Sequence, residues 1–187
     1  MQVRNAQAAM LSDVMHKAEG ILAGVKPDQR DFPTPDADWN VRQLENHIVG
    51  WALHFAARES GQGEAGDPTS YQVGEDPARE FAPAIEPLVT ALDGKLSAPA
   101  EQSGEGGFPP AALATVLVAE YVLHGWDLAT ATGQPVPFTD EEARASLEMR
   151  SYLTPDYRDQ MFGPELPAPP NATPLQELLA FAGREPA

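Results

Sequence analysis

The chain contains no cysteine. Disulfides, thiolate metal ligands and a thiol nucleophile are therefore outside its own repertoire, and any sulfur chemistry must use sulfur brought by a ligand. Positive charge is also scarce: 12 Lys and Arg stand against 28 Asp and Glu, a formal net charge of -16. A surface of that sign repels phosphate backbones, so no nucleic-acid partner is expected. No run approaches the roughly 18–20 consecutive apolar residues of a membrane span. The N-terminus interleaves Asp13, Lys17 and Glu19 with apolar residues and lacks the unbroken apolar block of a signal peptide. A cytoplasmic protein without a membrane partner is the expectation. Strand signals are nearly absent too: no hairpin dipeptide separates alternating apolar runs, and the β-branched residues are scattered.

What remains is helical. Met10, Leu11, Val14, Met15, Ala18, Ile21 and Leu22 recur at three- and four-residue spacings and predict an amphipathic helix over Ala6 to Gly24. Asn40 suits the N-cap of a second helix, Val41 to about Ser60, ended by Gly61. A third begins at Pro77 and runs to about Leu96. Its internal Pro83 and Pro87 predict a bent or split element. Ser97 to Phe108 reads as a flexible connector, and a fourth helix follows from Ala111 to Thr132, stopped by Gly133. Thr139 caps a shorter one to Tyr152, with Asp140, Glu141 and Glu142 at its positive end. Gly163 to Pro174 reads as extended, and a last short helix carries Leu175, Leu178, Leu179 and Phe181. The expected architecture is an all-α single domain over residues 1–187, with a core bundle at about 5–133 and a C-terminal extension at about 134–187.

The fourth helix holds the chemistry. Ala119-Glu120-Tyr121-Val122-Leu123-His124-Gly125-Trp126-Asp127 puts a carboxylate and an imidazole at positions i and i+4, on one helical face, within an apolar stretch. The plain alternative is a helix-surface pair contributing about 0.2–0.5 kcal/mol. The apolar flanks, Val116 to Val118 and Val122-Leu123, set a reading as two metal ligands beside it, and the spacing alone leaves both open. A third ligand is needed, and His16, His47 and His54 are the other histidines. His47 lies at or beside the inner stripe of the second helix. His54 lies roughly 10 Å further along at about 1.5 Å per residue, so only one of the two can join Glu120 and His124. His16 and His54 read more simply as surface helix residues. Two imidazoles and a carboxylate suit zinc first, and also nickel, iron or manganese. Asp127 is placed to orient His124 or to contact a bound ligand. Trp39, Trp51 and Trp126 read as core anchors. Spacing alone assigns no catalytic acid or base.

These residues also carry a resemblance. Asp38-Trp39-Asn40-Val41 with Leu44 and His47, then His124-Gly125-Trp126-Asp127-Leu128-Ala129 and Thr132-Gly133, resemble the DinB-like metal-binding family. More narrowly, they resemble the metal-binding domain of mycothiol-dependent maleylpyruvate isomerases, and Gly163-Pro164 and Gly183-Arg184 are similar to the close of its small stand-alone members. The resemblance implies a DinB-like four-helix bundle with additional short C-terminal helices. It implies a divalent ion held by His47, Glu120 and His124, and a small thiol such as mycothiol acting on an electrophile in a transferase or isomerase reaction. A homodimer is suggested by the family and not by the residues. The related isomerase has a further C-terminal domain, which this chain is expected to lack, and where relatives often have Cys and Pro before the tryptophan it carries Pro35-Asp36-Ala37-Asp38. The second function expected is therefore a metal-binding or ligand-binding bundle that keeps the site without turnover.

Overall fold

The computed structural model describes residues 4–37, 39–98 and 109–185. Within them the fold is all-α, with no strand and a single isolated bridge between Pro33 and Asn40. Four long helices make the bundle: α1 Ala6–Gly24, α2 Val41–Ser60, α3 Pro77–Leu96 and α4 Pro110–Thr132. Their ends follow from local chemistry. Asn5 accepts from the backbone N–H of Gln7 at the start of α1. Asn40 and Gln43 cap each other's backbone at the start of α2, which ends on the left-handed Gly61. Gly133 closes α4 in the same way.

Packing follows from the apolar stripes. Helix α1 turns Leu11, Val14, Met15, Ala18, Ile21 and Leu22 inward and lies against α3 and α4, while α2 lies mainly against α3 and also meets α4. Helix α4 is buried around nearly its whole circumference, as expected of the central element of a bundle. Helix α3 is not split: it runs unbroken over Pro77–Leu96. Pro83 is exposed and Pro87 lies one turn on along the same outer face, so the carbonyls they leave unbonded point away from the core. Phe81, Ala84, Ile85, Leu88 and Leu92 hold the opposite face in the core, each fully buried side chain contributing about 1.5–3 kcal/mol. That exceeds the cost of the missing bonds. The connector expected over Ser97 to Phe108 falls, beyond residue 98, outside the described residues. No helix among the described residues is long and apolar enough to cross a membrane.

The C-terminal segment is more helical than its sequence suggests. Thr139 and Glu142 form the capping box of α5, Asp140–Leu147, and the chain then tightens into a 3-10 turn over Glu148–Ser151 instead of continuing as α-helix to Tyr152. A further helix, α6 Pro155–Met161, was not expected, because its polar sequence carries no apolar period. Helix α7, Pro174–Phe181, is capped by Thr173 and Gln176 and packs on α5. It ends in a Schellman motif: Gly183 N–H donates to the Ala180 carbonyl at 3.1 Å and Arg184 N–H to that of Leu179 at 2.8 Å. Gly183 takes φ 75° there. This turn reverses the chain and sends the Arg184 side chain back into the protein, where it is only 4% exposed.

Gly183→Ala tests that turn. An added Cβ would sit 2.9 Å from the Gly163 carbonyl carbon and 3.0 Å from the Pro164 oxygen, in a left-handed conformation that already costs a side chain about 1–2 kcal/mol. The expected result is a fall of several degrees in the thermal midpoint, at roughly 2–4 °C per kcal/mol for a chain of this size. An unchanged midpoint would contradict it.

Candidate metal centre

Helix α2 supplies His47, and α4 supplies Glu120 and His124 one turn apart. His47 Nε2 lies 2.6 Å from Glu120 Oε1, and His124 Nε2 lies 3.5 Å from Glu120 Oε2. Each carboxylate oxygen therefore faces one imidazole, and the two rings are 4.8 Å apart, edge to face. One donor atom from each of the three residues lies within 4.8 Å of the others. His54 is not in this group; its Nδ1 is 2.8 Å from the Gly66 carbonyl oxygen. His16 is exposed, with Nδ1 3.1 Å from Glu19. Of the two histidines the spacing left open, the fold brings His47 to Glu120 and His124.

Behind His124 the site is closed by charge. Asp127, one turn along α4 and fully buried, places Oδ2 3.3 Å from His124 Nδ1. With Nδ1–H donating to that oxygen, Nε2 keeps its lone pair directed at the cluster. Arg184 reaches Asp127 with both Nε and Nη2, at 3.3 and 2.9 Å, and Asp36 with Nη2 at 2.6 Å. Asp36, His124 and Asp127 also sit close enough to form a carboxylate-rich group. That group already has a cation, because the guanidinium lies between its two carboxylates.

Charges in this row stabilise one another. Burial opposes ionisation of Glu120, but the charges of His124 and His47 and the hydrogen bond to His47 outweigh it and hold the carboxyl down to about 2. Burial also opposes a charged His124, yet Glu120 and then Asp127 raise its pKa. The Asp127 carboxyl is lowered despite its burial, through its hydrogen bonds to His124 and Arg184. Glu120 is thus a ready anionic donor, and both histidines point a ring nitrogen at it. The donor set fits a divalent ion.

In front of His47 the site is open. A pocket of about 330 Å³ is lined by Trp39, Gln43, Asn46, His47, Trp51, Tyr71 and Gln72, with Pro68 and Thr69 at its edge. Its far wall is the segment after the 3-10 turn Pro68–Ser70, drawn onto α2 where Gly50 offers no side chain: a Cβ there would lie 2.6 Å from the Pro68 oxygen. Asn46 fixes that wall by accepting from Val73 N–H at 2.9 Å and donating to Gln72 at 3.1 Å. Trp51 is not a core anchor, and Trp39 packs against the core while also facing the site. Trp39 is half-buried with its ring 4.4 Å from that of His47 and 5.3 Å from that of His124, and Trp51 is 6.2 Å from His47. Only Trp126, 7% exposed, sits in the core as expected.

Two residues of the centre escaped the sequence reading as site residues. Asp36 sits in a turn held by Thr34, whose hydroxyl donates to the Asp36 and Trp39 carbonyls. Arg184 comes from the opposite end of the chain. The Gly183-Arg184 pair was a visible signal, since a glycine after a helix end reverses the chain, but its target was not.

The sequence profile of the mycothiol maleylpyruvate isomerase N-terminal domain matches residues 11–129, well over half the chain. Two uncharacterized proteins, from two strains of Mycobacterium tuberculosis, are each 30% identical to it over 169 residues, covering 88% of this chain and 90% of the relative. No solved structure matches the chain.

A pH profile of the metal-free protein tests the electrostatics. The Glu120 carboxyl titrates at about 2 when folded and at about 4.3 when unfolded. Between those values the unfolded chain binds more protons, so stability falls as pH is lowered. Thermal midpoints measured with chelator present are expected to drop between about pH 4.5 and 2, and Glu120→Gln to flatten part of that slope. The raised pKa of His124 acts oppositely: its contribution is complete below about 6.5 and is lost as pH climbs through the folded value. An acid slope unaltered by Glu120→Gln would contradict this account.

Proposed function

The chain belongs to the mycothiol maleylpyruvate isomerase N-terminal domain family, and from that premise we propose that it is a divalent-metal-dependent enzyme using a low-molecular-weight thiol on a small electrophile, as a transferase or isomerase. The observation that carries the reading is the convergence of His47, Glu120 and His124 beside a pocket open to solvent. A three-donor set of this kind holds zinc with a position left for a further ligand, and also suits nickel, iron or manganese. A bound divalent ion would supply a Lewis acid that brings the pKa of a coordinating thiol toward neutrality.

This chain's own residues then divide the work. His47, Glu120 and His124 hold the ion, and Asp127 fixes His124 so that Nε2 faces inward. Trp39 and Trp51 offer flat apolar faces to a ligand ring. Gln43, Asn46 and Gln72 carry amides that both donate and accept, which matches hydroxyl groups better than it matches a net charge. A neutral, sugar-bearing thiol such as mycothiol fits that lining. The volume falls within the roughly 300–1,000 Å³ of small-molecule sites. Because the chain has no cysteine, the reacting sulfur comes from that ligand.

Protein purified without a nickel column is expected to carry a divalent ion. His47→Ala, Glu120→Ala and His124→Ala should each lose more affinity than the roughly 10–100-fold typical of removing an outer partner. Full metal retention in all three would sink the assignment. Metal-dependent consumption of mycothiol or bacillithiol with a panel of electrophiles tests turnover. Tight metal binding with no thiol consumed would instead support the binding protein without turnover.

A further inference from the structure

We infer that Arg184, contributed by the C-terminal tail, is a positioning residue of the metal centre: it fixes the Asp127 carboxylate and, through it, the ring of His124. The inference rests on His47, Glu120 and His124 being metal ligands. Its own support is the geometry behind them.

Arg184 meets Asp127 as a fork. Nε donates to Oδ1 at 3.3 Å and Nη2 to Oδ2 at 2.9 Å, which fixes the plane of the carboxylate as well as its place. Oδ2 is the same oxygen that faces His124 Nδ1 at 3.3 Å. A carboxylate held at one point could turn that oxygen away; one held at two cannot. The guanidinium is in turn fixed by Asp36 at 2.6 Å and by the Ala182 carbonyl at 2.8 Å. Sharing one positive charge between two carboxylates leaves the group net negative. Asp127 therefore keeps enough charge to hold the imidazole N–H.

The competing explanation is that Arg184 only latches the tail. The tail is latched without it: α7 packs on α5 and α5 on α4, Lys17 of α1 reaches Glu142 of α5 at 2.6 Å, and within the tail Leu166 N–H donates to the Ala180 carbonyl at 2.9 Å. Leu178, Leu179 and Phe181 are buried besides. A latch needs no charge driven into the core, where desolvation penalises it. The burial of this side chain makes sense only if its target does.

The test is a double-mutant cycle read on zinc affinity by chelator competition, using Arg184→Gln, Asp127→Asn and the double variant of the full chain. If Arg184 acts through Asp127, each single substitution weakens zinc binding about 10–100-fold, and Arg184→Gln adds little in the Asp127→Asn background. Losses that multiply in the double variant, or no loss with Arg184→Gln, overturn the inference. Should Arg184→Gln fail to fold, the cycle is run with Arg184→Lys, which keeps the charge but not the fork, and the same coupling decides. His47→Ala is the control for the underlying reading. Wild-type protein without zinc affinity, or a control variant binding as well as wild type, would overthrow that reading itself and not merely the role of Arg184.

Discussion

A charge placed in a helix core is tolerated only if something of the opposite sign is held against it, and this fold is arranged around that constraint. From Asp36 through Arg184, Asp127, His124 and Glu120 to His47, acid and base alternate without a gap. Removing an ion from water costs several kcal/mol even after relaxation, comparable to what one or two large apolar side chains contribute. Arg184, Asp127 and His124, the members of this row that are buried, could not be placed singly in such a core. Glu45 shows what happens with a poorer partner. Fully buried on the same helix as His47, it has Arg30 Nε at 3.2 Å but no well-directed hydrogen bond, and burial wins, raising its pKa. Glu120, flanked by two imidazoles, goes the other way.

The same constraint explains how much could be read from the sequence. Glu120 and His124 were visible because their relation is local: the helical period alone puts them on one face. Asp127, the capped starts of α2 and α5 and the Gly133 end of α4 were visible for the same reason, each depending on residues close together in sequence. His47 needed one nonlocal fact, the placement of α2 beside α4, and the spacing therefore left it competing with His54. Asp36 and Arg184 needed two chain ends to meet across nearly the whole sequence, and no periodicity encodes that. Trp51 was misread by residue type, and Trp39 in part, since it packs on the core and faces the site as well. A large aromatic is expected in a core, yet the rim of a pocket also needs rigid apolar area, and composition cannot distinguish the two settings.

Proline misled in both directions. In α3 the two prolines suggested a break, but their outward positions leave the buried stripe continuous, and packing dominates local propensity. Before α6, Pro155 opened a helix that nothing else in the sequence announced. In α3 the outcome was decided by which face met the core, information that lies in tertiary contacts.

The centre that results has two unlike sides. Behind His124 lie a guanidinium, two carboxylates and the end of α7, joined by hydrogen bonds; in front of His47 lie amides, indoles and a phenol around open space. The net charge of -16 would discourage anions at long range, but at physiological ionic strength such fields fade over about 8 Å. Selection at the site therefore falls to the lining itself. Apart from the His47 imidazole that lining has no ionisable group but Tyr71, whose hydroxyl is engaged at 2.7 Å by Glu80 and pushed up to about 12. Away from His47 and Glu120, a charged group brought against this lining would give up its water without gaining a counter-ion, whereas a hydroxyl-rich one could replace its water with amides. The rigid charged side fixes the donors, and the neutral open side is left to choose what approaches them.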